Sequence, residues 1–182
     1  MATKTIHRGL RDLQIAAWNG ENSYGTASDI YGAREMTLEL VVESDQLEGD
    51  DVVIDRYTKI IAVNFNFANG SVDLGLLNVL SGGTLVSNAQ YEDVMIGEDA
   101  SIPYVAMAGR VVGSDATHDL HVFVPKAKMA GNLQYQAQYG AYVIPSAEFQ
   151  GVNEGSINGL VRFRKFTALT TLTIPLATTA GA

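Results

Sequence analysis

Tyr57-Thr58-Lys59-Ile60-Ile61-Ala62-Val63-Asn64-Phe65-Asn66-Phe67 decides the fold class. Successive side chains of an extended chain point to opposite faces. Ile61, Val63, Phe65 and Phe67 therefore share one face, with Asn64 and Asn66 on the other. That is a strand with one buried and one polar face. The same period recurs on both sides of it. Met36, Leu38, Leu40 and Val42 alternate with Thr37, Glu39 and Glu43. Asp12–Trp18 places Leu13, Ile15 and Ala17 together, and Asp119–Val124 does so with Leu120, Val122 and Val124. Ile102–Val112, Tyr135–Ile144 and the pair Leu160–Phe166 and Ala168–Ile174, read as a hairpin, complete the strands.

One segment has helical spacing instead. Val72, Leu76, Val79 and Leu80 recur on one helical face. Ser71 offers a cap, Asp73 suits the positive end of the helix dipole, and Gly82-Gly83 supplies a stop. Gly75 inside it costs about 1 kcal/mol relative to alanine. The expected chain is mainly β: two sheets in a sandwich or half-barrel, one short flanking helix, and long loops and arms. Residues 1–182 form one domain, with an N-terminal arm at 1–11 and a C-terminal tail at 177–182. Asn19–Arg34 and the acidic Ser44–Arg56 are read as long loops, which in compact domains are usually functional or disordered.

Charge is unevenly placed. The net charge is −8, and charged residues make up 18% of the chain, against about 25% in an ordinary soluble domain. Glu35 to Asp55 holds eight acids and no base. The second part of the chain, by contrast, has slightly more bases than acids. Such an asymmetry favours attraction between copies placed head to tail. It disfavours a nucleic-acid binder that grips phosphates through a basic surface. With no cysteine, disulfides and thiolate metal sites are excluded. No apolar run approaches the ~18 residues of a membrane helix, and Met1–Arg8 has no apolar core of a signal peptide.

Chemistry is sparse. His118 and His121 lie three apart, which on a strand means opposite faces, and no further ligand completes a zinc site. Asp45, Glu48, Asp50 and Asp51 lack the spacing of a calcium loop. There is neither a nucleophile elbow nor a phosphate loop. No enzyme activity, metal or cofactor is expected.

Two short elements, in order, carry a resemblance: Tyr24-Gly25-Thr26, then Leu47-Glu48-Gly49-Asp50-Asp51 ahead of the long strand and its Gly-bounded helix. In this the chain resembles the major tail tube proteins of long-tailed bacteriophages. The resemblance implies a virion structural protein, made in the bacterial cytoplasm and placed in the virion tail. Six copies would form a ring, sheets would join into a barrel around a lumen, and rings would stack into a tube. DNA would pass through without specific binding. Partners would be further copies, a tape-measure protein and tail-tip proteins, with no membrane. It implies contacts between subunits or rings at Tyr24, Gly25, Thr26, Leu47, Glu48, Gly49, Asp50 and Asp51. Glu39, Glu43, Asn64 and Asn66 are the expected lumen-facing residues. The rival readings are another virion structural protein, such as a decoration or terminator protein, and a β-sandwich that binds carbohydrate or a small ligand. For the latter, Tyr135, Tyr139 and Tyr142 would be the exposed aromatics.

Overall fold

The computed structural model describes residues 6–49, 52–69, 74–115, 117–134, 139, 146–155 and 159–176. In chain order the elements are β1 (His7–Gly20), β2 (Ser23–Tyr24), β3 (Ser28–Asp29), β4 (Ala33–Gly49), β5 (Val52–Asn69), α1 (Leu74–Ser81), β6 (Thr84–Ser87), β7 (Glu92–Met95), β8 (Val105–Gly113), β9 (Asp119–Met129), β10 (Ser146–Gly151) and β11 (Arg162–Phe166). The chain is mainly β, as its alternation predicts; the described residues form two sheets and one helix. The large sheet runs β2-β1-β8-β9-β10-β5-β4, with β3 beside β1 and β11 beside β9; β6 and β7 form a separate two-stranded ribbon.

The large sheet curls around one core. Leu13 and Ile15 of β1 pack in the same cluster as Phe65 and Phe67 of β5, with Met36 and Leu38 of β4 against it. Strands from both ends of the sheet thus share one interior, which makes it a half-barrel. Leu76 and Leu80 of α1 fill that interior, and Val79 packs beside them. Gly82 ends the helix with φ +66, and its N–H donates to the Asn78 carbonyl at 3.0 Å. The expected cap at Ser71 and charge at Asp73 lie outside the described residues.

The outer face has a smaller core. Ala106 and Ala108 of β8 and Phe123 of β9 meet Leu172 and Leu176. Residues 167–176 are therefore a strap across the sheet, not the second strand of a hairpin with β11. Two contacts hold the strap on the sheet: Thr170 N–H donates to Asp119 Oδ2 at 2.7 Å, and Leu172 and Leu176 pack in the cluster with Phe123.

Three other expectations change. Ser44–Arg56 is not a loop. It belongs to a β4–β5 hairpin paired from Ala33↔Asn69 to Gly49↔Val52. Residues 7–11 are not an arm, because β1 begins at His7 and pairs with β8 from His7↔Gly113 onward. Asn19–Arg34 is only partly a loop: it contains the end of β1, then β2 and β3, which pair back onto β1. The tail at 177–182 and nearly all of Tyr135–Ile144 lie outside the described residues.

Candidate assembly surface

The sheet's outer polar face is built by register. Glu39 lies opposite Asn64 and Thr37 opposite Asn66 across β4 and β5. Asn64 in turn pairs with Gln150, and Asn66 with Glu148, across β5 and β10. Glu43 shares β4's odd-numbered side with Glu39 and lies opposite Lys59. All four expected lumen-facing residues thus lie on one face. Their inward neighbours are Phe65 and Phe67, both buried, so the amides have no other direction to take.

The row continues beyond the residues that sequence reading singles out. Gln150 pairs with Lys128 on β9. Tyr104, just ahead of β8, accepts from Trp18 N–H through its carbonyl at 2.9 Å. Lys126 and Lys128 extend over these rings. Lys126 Nζ lies 3.9 Å from the Trp18 ring centroid and 4.6 Å from that of Tyr104, and Lys128 Nζ lies 5.2 Å from Tyr104. Trp18 and Tyr104 themselves meet edge to face, 5.8 Å between centroids. A file of aromatic, lysine, amide and carboxylate side chains thus crosses the sheet from β1 to β4. The alternation of Ala147 and Phe149 with Glu148 and Gln150 was the available signal for β10, and Lys126-Ala127-Lys128 was the signal for the lysines.

Tyr24, Gly25 and Thr26 sit at the β2 edge of this sheet. Tyr24 is half-buried. Its hydroxyl donates to the Glu154 carboxylate at 2.7 Å, and its ring meets Phe123 edge to face. Glu154 also accepts from Trp18 Nε1 at 2.9 Å and from Asn22 N–H at 3.0 Å. One buried carboxylate therefore ties the β1–β2 turn to the distant 152–155 segment. Gly25 is held against the sheet by its N–H to the Ala17 carbonyl at 2.8 Å, while Thr26 is exposed.

At the opposite edge is the β4–β5 hairpin. Val41 pairs with Ala62 but Val42 with Ile60, so Ile61 is an inserted residue, a bulge that flips β5 below it. This is why Ile61, expected on the buried face, is 47% exposed. Beyond the bulge the hairpin leaves the core. Leu47 and Tyr57 are exposed on one side, Val42 and Ile60 on the other, and Ile54 near the tip is 66% exposed. Of the expected contacts here, Leu47 is exposed, Glu48 and Gly49 pair with Val53 and Val52, and Asp50 and Asp51 lie outside the described residues. The described members of the two sets therefore lie toward opposite edges of one sheet.

The histidines hold no metal cluster among the described residues. His118 Nδ1 lies 2.7 Å from Asp115 Oδ2 in an exposed turn, where the Thr117 N–H above all holds the Asp115 carboxyl down to about 2. His121 is fully buried against Phe166. Among the described residues no helix is long and apolar enough to cross a membrane.

No known protein family matches this chain, and no curated protein matches it. A chain in the cryo-EM structure of the anti-feeding prophage baseplate, six-fold symmetrised, is similar at 11% identity, covering 91% of this chain and 97% of that one, with a TM-score of 0.44. A likeness that loose carries no argument about what this chain does.

Proposed function

We propose that this chain is a structural subunit that assembles with copies of itself, and that the assembly is the tail tube of a long-tailed bacteriophage. Six copies close a ring and rings stack, with the polar face toward a water-filled lumen through which DNA passes without sequence-specific contact. Tape-measure and tail-tip proteins are the other proposed partners, and the virion tail is the proposed location. The observation that carries the reading is the β4–β5 hairpin. It projects large apolar side chains from both of its faces: Leu47 (61% exposed) and Tyr57 (64%) on one, Val42 (50%) and Ile60 (45%) on the other. A solvated acidic loop has no use for them, whereas a ribbon inserted between neighbouring copies buries both faces. Among the described residues β4 also ends the sheet, and an edge strand is a template for another chain.

Negative-stain electron microscopy across a concentration series tests this. Hollow tubes or stacked rings of one diameter are the expected result. A strict monomer at every concentration counts against it and turns attention to ligand binding by the polar face.

A further inference from the structure

The file of side chains from Trp18 to Glu39 is polarised. At the β1 end, Lys126 Nζ has reached from β9 past β8 to lie over Trp18, which places an ammonium one strand in from the β2 edge, since Trp18 pairs with Tyr24. At the β4 end, Glu39 is exposed on the same face, beside the uncharged Asn64. Among the described residues, neither Lys126 nor Lys128 forms an ion pair, and nor does Glu39. Two aromatic rings hold the lysine in place, so little freedom is lost when a carboxylate arrives.

We propose that Lys126, held over Trp18 and Tyr104, receives Glu39 of a second copy when the β4 edge of one subunit meets the β1–β2 edge of the next. The proposal rests on the self-assembly reading and adds the contact that sets its polarity. Both groups lie on the same face of the sheet, so continuing one sheet into the next keeps them on one surface. Lys126 near one end of the polar face and Glu39 at the other favour head-to-tail joining, while joining like ends brings two lysines or two glutamates together. Lys128, two residues along the same face, supports the same end, and Glu43 is the next carboxylate along that face of β4, although Lys59 already lies opposite it. The chief rival occupant of the lysines is a nucleic-acid phosphate backbone.

Reversing each end separately decides between them. Lys126→Glu makes both edges acidic, and Glu39→Lys makes both basic. Each variant alone should need about tenfold more protein to assemble, read by sedimentation velocity. An equimolar mixture should assemble as the unaltered chain does, because alternating copies present unlike charges at every joint. If Lys126→Glu does not melt cooperatively, Lys126→Gln takes its place: it keeps the stem over the rings, removes the charge, and should weaken assembly in the same direction. Unchanged assembly by Lys126→Glu alone overturns the proposal and leaves the assembly reading intact; loss of DNA retention in the same variant assigns the lysines to phosphate. Weak assembly that mixing fails to restore also overturns it. An unaltered chain that never associates overturns both readings.

Discussion

Thr170 N–H donates to Asp119 Oδ2 at 2.7 Å, and the same oxygen accepts from Arg110 Nε at 2.9 Å. One fully buried carboxylate thereby joins the C-terminal strap, β9 and β8. Asp119→Ala leaves a partly buried guanidinium and a buried N–H without their partner. The expected cost is about 3 kcal/mol, or a melting point lower by roughly 6–12 °C. Thr170→Ala, which keeps the N–H, should be far milder than Thr170→Pro, which removes it. Equal effects from these two would show that the backbone bond does not hold the strap.

His121 predicts a pH dependence. Its ring is fully buried, with Nε2 3.8 Å from Asp119 Oδ2 and the ring centroid 4.6 Å from that of Phe166. Arg110 on β8 and Arg164 on β11 lie opposite it in register. Burial above all lowers its pKa; Arg110 adds to this and Asp119 opposes it. With the folded value below the unfolded one, the unfolded chain takes up the proton first. Stability is therefore complete above the unfolded pKa, ~6.5, and falls as pH drops below it, by up to about 1.4 kcal/mol per pH unit until the folded value is reached. Urea unfolding between pH 7.5 and 5.5 measures this. His121→Gln should flatten the slope, and a variant with an unchanged slope would assign the dependence elsewhere.

Glu154 predicts an optical change. Its carboxylate accepts from Trp18 Nε1, Tyr24 Oη and Asn22 N–H, and Trp18 is the chain's one tryptophan. Glu154→Ala removes the common acceptor and should cost about 2–3 kcal/mol. Trp18 fluorescence should shift to the red as water replaces the carboxylate. Destabilisation with unmoved emission would mean that the indole keeps its dry environment by packing against Lys126 and Tyr104 alone.

How far the sequence could be read follows from where alternation survives. Strands with one buried face, such as β5 at Val63, Phe65 and Phe67, keep their period because every second residue must leave water. The same rule hides the hairpin tip. The residues of Ser44–Arg56 whose burial is described are all exposed, so no buried period marks them and the acids read as a loop. The Ile61 bulge defeats a local rule in the same way, since one inserted residue exchanges the faces. The four polar residues of β4 and β5 were legible because they alternate with the core. The row joining them to Lys128 and Trp18 was not, because it depends on register across six strand segments distant in sequence.

The hairpin tip gives the last prediction. The residues of Ser44–Arg56 whose burial is described are all exposed, so deleting the segment removes no core. The shortened chain turns at Tyr57-Thr58, between Glu43 and its partner Lys59, and its stability should change by less than about 1 kcal/mol. Assembly should be lost. The two faces can then be separated in the full-length chain. Leu47→Ser with Tyr57→Ser empties one face, and Val42→Ser with Ile60→Ser the other. A face buried in the assembly should lose roughly 3 kcal/mol of contact, about a hundredfold in the concentration needed to assemble. A face that stays in water should lose nothing. If both faces matter, the ribbon is sandwiched between copies; if one does, it lies flat on a neighbour. Normal assembly by the deletion variant, or its failure to fold, would show that these apolar side chains serve the subunit itself and not its joints.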